Sequence, residues 1–209
     1  GHLLTLGSGL RELADERTFT PQVLAGLRDT VRVLRDLARE NAALAGLDAE
    51  LAQAPASLCA AFALLARVTE QATAIAAAPG NEEEELQRWV QTLKRTCEEH
   101  VADLLWLAPW LAVPSPTREA KLAQLDQAST LREVAMLDQS LCPLLDTALQ
   151  DLSAEPGQSR DEEQARLKEL LRCVREASDH ARQRLLALEA LATQSDEMAV
   201  MDFTFLFDT

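Results

Sequence analysis

From Ser159 to about Ala199 the chain carries Leu167, Leu170, Leu171, Val174, Ala177, Ala181, Leu185, Leu188, Leu191 and Ala192 at steps of mostly three and four residues. Such steps return side chains to one side of a helix with 3.6 residues per turn. A stripe of that length needs a partner, so it predicts one long helix with the preceding helices laid against it. Ser159, with Glu162 three residues on, predicts the start as a capping box, in which hydroxyl and carboxylate each satisfy a free backbone N–H. Pro156-Gly157 breaks whatever comes before. At its far end the helix delivers Met201-Asp-Phe-Thr-Phe-Leu-Phe-Asp208.

The residue choice extends the helical expectation to the whole chain. Of 209 residues, 47% are apolar, only 7 are Gly and 8 Pro, and there is no Tyr, which together favour helix and a real core over disorder. The fold class expected is all-α: a multi-helix antiparallel bundle of long amphipathic helices, with a short extended C-terminal segment. Lys and Arg number 20 against 34 Asp and Glu, a net charge of −14. That balance repels a phosphate backbone and sets direct nucleic-acid binding aside. Cys59, Cys97, Cys142 and Cys173 form no CxxC pair, and each falls in a helical pattern among apolar residues, so they read as free thiols in a reducing compartment. No signal peptide and no unbroken run of about 18 apolar residues is present, so no direct membrane span is expected in this segment.

Taken in order, residues 1–19 read as a cloning scar, Gly1-His2, and a weakly structured lead-in. Thr20-Pro21 starts a helix through Leu24, Leu27, Val31, Leu34 and Ala38 that should end near Leu44, before Gly46, with a short helical piece from Asp48 to Ala54. Pro55 and Ser57 open the next, with Leu58, Phe62, Leu65, Val68, Ala72 and Ile75 inward, closed by Pro79-Gly80-Asn81. Asn81 and the run Glu82 to Glu85 begin a third, whose core face runs through Leu86, Trp89, Val90, Leu93, Cys97, Val101 and Leu104 to Pro109. Those consecutive carboxylates point about 100° apart and complement the helix dipole instead of converging on an ion. A linker at 112–117 and a brief helix from Thr117 to Gln127 follow. Ser129 caps a helix with Leu131, Val134, Leu137, Leu141, Leu144, Leu145, Leu149 and Leu152 inward, and Pro143 predicts a kink or break between Asp138 and Pro143. The bundle is thus expected over 20–199, and 200–209 as an extended segment belonging to the start of a following domain.

Few residues suggest chemistry. Val101 to Val113 is the most apolar stretch, too dense for a single buried face, so Trp106, Leu107, Trp110 and Leu111 are read first as core and second as a docking surface. As a strand, Met201, Phe203, Phe205 and Phe207 would share one face, which makes the C-terminal segment a candidate for self-association or for folding back on the bundle. Cys97 with His100 and Cys173 with His180 could hold zinc only if their helices met, and free thiols are the preferred reading. No Gly-rich phosphate loop, nucleophile with a local partner or carboxylate dyad stands out, so no catalytic, cofactor-binding or metal residue is assigned.

A resemblance supplies more. Met201-Asp-Phe-Thr-Phe-Leu-Phe-Asp208 resembles the Met-Asp-Phe-x-Phe-Leu-Tyr-Asp segment that opens the glucoamylase-like domain of bacterial cyclic β-1,2-glucan synthases, with Phe207 in place of the usual Tyr. Leu93-Lys-Arg-Thr-Cys-Glu-Glu-His100 leading to Leu107-Ala-Pro-Trp-Leu111, and Thr130-Leu-Arg-Glu-Val-Ala-Met-Leu-Asp-Gln139, are similar in order and spacing to the helical stretch between the glycosyltransferase and glucoamylase-like parts of these synthases. The resemblance implies an excised piece of a large inner-membrane protein with cytoplasmic catalytic parts, which makes cyclic β-1,2-glucan from UDP-glucose with a divalent metal. None of the family's nucleotide-binding or carboxylate residues falls in these positions. The segment would then be a non-catalytic connector or scaffold whose partners are neighbouring domains of the same polypeptide. The rival is a free-standing helical protein–protein interaction module using the Trp106 to Leu111 patch. A third reading, glucan binding through Trp89, Trp106 and Trp110, requires exposed rings.

Overall fold

The computed structural model describes residues 2–37, 42–77, 83–113, 125–127, 129–153 and 158–200. Their order is α1 (His2–Glu12), α2 (Pro21–Leu37), α3 (Ala42–Leu51), α4 (Leu58–Ala77), α5 (Glu84–Leu107), α6 (Leu131–Ala135), α7 (Leu137–Ser153) and α8 (Gln158–Val200), with 3-10 turns at Leu13–Asp15 and Pro109–Ala112. The fold is all-α, and the described residues contain no strand. The chain divides into two compact units: residues 19–128, and residues 1–18 with 129–209.

In the first unit α2 packs on α3 and α5, and α4 packs on α3 and α5, which closes a four-membered ring of helices. Side-chain bonds fix the directions. Arg28 on α2 donates to the carbonyl of Leu51 at the end of α3 (2.8 and 2.5 Å), satisfying an acceptor that a helix C-terminus leaves free. Arg35 pairs with Asp48, Arg67 with Glu50 at 2.9 Å, and Gln87 donates to the Ala76 carbonyl at 2.9 Å. Arg28 and Arg35 of α2 meet Leu51 and Asp48 of α3, Gly46 and Glu50 of α3 meet Gln71 and Arg67 of α4, and the end of α4 meets the start of α5, so the bundle runs up, down, up, down. Leu24, Leu27, Val31 and Leu34 of α2, Leu65, Val68, Ala72 and Ile75 of α4 and Leu86, Val90, Leu93 and Cys97 of α5 form the core. Phe62, Trp89 and Val101, expected inward, are half-buried.

The helix from Pro21 is described to Leu37, and Gly46, expected to follow a helix end, lies inside α3. Burying Leu44, Leu47 and Leu51 at helical spacing outweighs the roughly 1 kcal/mol a mid-helix glycine costs. By length and composition alone α4 is long and apolar enough to cross a membrane, with Arg67, Glu70 and Gln71 within it. Its Leu58, Ala61, Leu64 and Leu65 are buried against neighbouring helices, as in a core helix.

The second unit is organised around α8. At 43 residues it spans about 65 Å, given a rise of 1.5 Å per residue. The lead-in, expected to be weakly structured, is α1, and it packs antiparallel on the C-terminal part of α8: Arg11 meets Glu189 (3.1 Å) and Asp196 (2.9 Å). Gly7 permits the approach, because a Cβ there would collide with Asp196 Oδ1 and lie 3.2 Å from the Ala192 carbonyl oxygen. Farther along, α6 packs on the middle of α8, and α7 packs antiparallel on its middle and N-terminal parts. An isolated antiparallel bridge joins Arg17 to Thr130, and the Thr18 N–H donates to the Ser129 carbonyl at 3.1 Å. The chain therefore leaves for residues 19–128 and returns at adjacent points of this unit.

Along α8, Leu167, Leu170, Val174, Ala177, Ala181 and Ala192 are buried as the stripe predicts, with Leu171, Leu185 and Leu188 half-buried. Leu191 is 50% exposed, because the close contact with α1 is made through Ala192 and Asp196 on another side of the helix. Leu144, also expected inward, is 49% exposed beside buried Leu141 and Leu145. The cap falls on Thr130, not Ser129: its hydroxyl accepts from the Glu133 N–H (3.2 Å) while the Glu133 carboxylate accepts from the Thr130 N–H (2.7 Å). The helix break lies at Met136, upstream of the expected window, and Pro143 sits inside α7. The side chain of Ser159, the closing turn at 79–81, the linker at 114–117 and the segment 201–209 lie outside the described residues, as does most of the brief helix expected from Thr117.

Candidate functional site

The apolar stretch near Pro109 divides. Leu107 and Trp110 are in the core of their unit, and the Trp110 indole N–H donates to the Leu125 carbonyl at 2.9 Å, which satisfies its one polar atom in a buried place. Trp106 and Leu111 are half-buried. A four-residue docking patch would need all of them at the surface, and the helix end at Ala108 turns Trp110 inward instead. Of the indoles proposed to stack on glucan, Trp89 and Trp106 are half-buried and Trp110 is buried. Phe203, Phe205 and Phe207 lie outside the described residues.

The thiols are free and poorly suited to nucleophilic chemistry. Burial pushes the Cys97 thiol up to about 11, opposed by a hydrogen bond from Thr69. Burial and the neighbouring Asp126 carboxylate push Cys59 up to about 11. Burial raises Cys142 and Cys173 as well, so a thiolate is disfavoured at all four near neutral pH. Cys97 and His100 belong to one unit and Cys173 and His180 to the other. Among the described residues no three His, Cys, Asp or Glu side chains converge as metal ligands.

One shallow, open groove of ≈ 530 Å³ follows α8 past Lys168, Arg172, Arg175, Glu176, Asp179 and His180. Two of its cations, Arg172 and Arg175, face counter-ions. Arg172 reaches Glu169 at 2.7 Å and Glu176 at 2.5 Å, and Arg175 reaches Asp146 at 3.8 Å. Hydrogen bonding with Glu169 holds the Arg172 guanidinium above its ordinary range, and the same contact holds Glu169 below the usual carboxylate range.

A polar constellation around buried Ser178 was not anticipated from the sequence. Ser178 of α8 is fully buried; its hydroxyl donates to the Val134 carbonyl (2.9 Å) and accepts from the Asp138 N–H (3.1 Å). One turn on, one guanidinium nitrogen of Arg182 donates to both Asp138 carboxylate oxygens at 2.6 Å, and another donates to Asp179 at 2.9 Å. Pairing with Asp138, then with Asp179, raises the Arg182 pKa. The available signal was a polar residue between Ala177 and Ala181 on the apolar stripe.

These features define an all-α protein of antiparallel helices whose polar network is aimed at its own backbone. No family model, curated protein or solved structure matches the chain.

Proposed function

We propose that this chain is a helical connector or scaffold, a non-catalytic region that spaces neighbouring domains of one polypeptide. The observation that carries the reading is α8, 43 residues braced in turn by α1, α6 and α7. A helix held by partners along most of about 65 Å resists bending and keeps what precedes and follows it at a set separation. The parent, in this proposal, is a membrane-associated glucosyltransferase that makes cyclic β-1,2-glucan from UDP-glucose at the cytoplasmic face of the bacterial inner membrane. The resemblance of Met201–Asp208 and of Thr130–Gln139 supports it. UDP-glucose and the divalent metal belong to other domains of that parent, and no residue of this chain is assigned to either.

The test uses the full gene product in membranes supplied with radiolabelled UDP-glucose. Label is expected in β-1,2-glucan, and Ala187→Pro, at an exposed position of α8, is expected to reduce the cyclic product more than the linear one. Absence of labelled glucan from the unaltered protein overturns the parent assignment; an unchanged ratio in the variant overturns the spacing role. A second reading, a free-standing interaction module, is favoured by exposed Leu186 (73%) and Met198 (44%) on α8. A reading frame that stops after Thr209 supports it, and one that continues into a helical-barrel domain supports the synthase.

A further inference from the structure

The break between α6 and α7 has an unusual origin. Residues Leu131 to Asp138, Leu-Arg-Glu-Val-Ala-Met-Leu-Asp, contain no Gly or Pro and consist mostly of strong helix formers, so their intrinsic preference is to continue as one helix. In a continuous helix the Val134 carbonyl would accept from the Asp138 N–H, four residues on. Those are the two groups that the Ser178 hydroxyl occupies, accepting from one and donating to the other. A side chain has entered the helix ladder in place of one backbone hydrogen bond. Around it, Met136 stands at φ −108° and ψ −2°, its N–H turned back to Glu133 and Val134. The Gln139 N–H takes the Met136 carbonyl at 3.1 Å and the Asp138 carboxylate at 2.9 Å.

We infer that the α6–α7 junction is a two-state conformational device: broken while the Ser178 hydroxyl is inserted, and continuous, with Val134 bonded directly to Asp138, once it is withdrawn. The Val134 carbonyl and the Asp138 N–H are satisfied by the hydroxyl in the broken state and by each other in the continuous one, while the withdrawn hydroxyl turns to the Val174 carbonyl, four residues back on its own helix. Ser178 and Arg182 lie one turn apart on α8 and grip residues 134 and 138 together. A shift of α8 that withdraws the hydroxyl also parts Arg182 from Asp138. The junction thereby couples the position of α8 to the angle between α6 and α7, as a bistable element must if it is to transmit. Pro143 is not at the break, since it lies inside α7 and the backbone bond it removes runs to the Gln139 carbonyl, not to Val134.

The test is the scalar coupling across the hydrogen bond between the Asp138 nitrogen and the Val134 carbonyl carbon, measured by NMR on the deuterated whole chain. It should be absent in the wild type and in Ser178→Thr, which keeps a hydroxyl, and present in Ser178→Ala. A folded Ser178→Ala chain without the coupling overturns the inference. Should Ser178→Ala fail to fold, Pro143→Ala decides: with Ser178 intact the coupling should remain absent, and its appearance shows that the proline, not the hydroxyl, holds the helices apart.

Discussion

Gly7 and Gly9 stand two residues apart on α1, yet their surroundings are opposite. Nothing lies within 4 Å of a Cβ placed on Gly9, so Gly9→Ala should gain up to about 1 kcal/mol of helix propensity. The same change at Gly7 drives a methyl into Asp196 and against the Ala192 carbonyl, and displaces the carboxylate that Arg11 holds. Overpacking of this kind costs about 1 to 3 kcal/mol, which exceeds the propensity gain. Thermal melting should move up for Gly9→Ala and down for Gly7→Ala; an equal shift in both would show that α1 does not dock on α8 as described. A similar contrast separates Leu170, buried, from Leu191, half-exposed on the same sequence stripe. Leu170→Ala should cost about 2 to 5 kcal/mol in urea unfolding, and Leu191→Ala no more than about 0.5. Spacing alone could not rank the two, because which side of α8 is covered near residue 191 depends on a glycine contact from the other end of the chain. Cys97 carries a pH prediction. Its thiol, pushed up from 9.0 to about 11, keeps its proton in the folded state after the unfolded chain has begun to lose it. Stability is therefore fully present below pH 9 and falls as pH rises towards 11. The urea midpoint of the wild type should fall over that window more steeply than that of Cys97→Ala, and parallel profiles would contradict the burial assigned to Cys97.

Elements differ in how far local sequence decides them. The apolar faces of α2, α4 and α5 were legible because period, length and flanking Pro agree, and Leu24, Leu27, Val31 and Leu34 are all buried. Boundaries were less so. Gly46 and Pro143, both read as breakers, sit inside helices, and the helix breaks at Met136, where no local signal exists. The cause is tertiary: Leu44, Leu47 and Leu51 bury the face that carries Gly46 through, and Ser178 reaches Met136's turn from a helix 40 residues away in sequence. Pro143 is exposed and removes one backbone donor from α7. Pro143→Ala should therefore raise the melting temperature while leaving the helix break in place; a lower melting temperature would mean that the proline shapes α7 to fit α8.

At the scale of the whole molecule, composition sufficed for the all-α class, because helix formers abound and breakers are few. It did not reveal that residues 1–18 and 129–200 share a unit, since that pairing joins stretches separated by 110 residues and leaves no periodic trace. Trp110, read first as core and second as part of a docking surface, is a buried indole hydrogen-bonded to the Leu125 carbonyl, and nothing in its local sequence separates the two roles. Two stretches that meet at the Arg17–Thr130 bridge brace α8, and residues 19–128 enter and leave there. Replacing residues 19–128 by a two-residue Asn-Gly turn, which suits an antiparallel junction, tests this most directly. Calorimetry of the shortened chain should show one cooperative transition, and spectra should show the α1, α6, α7 and α8 amides in helix. A chain that melts without cooperativity, or whose α1 amides no longer report contact with Ala192 and Asp196, would contradict the account.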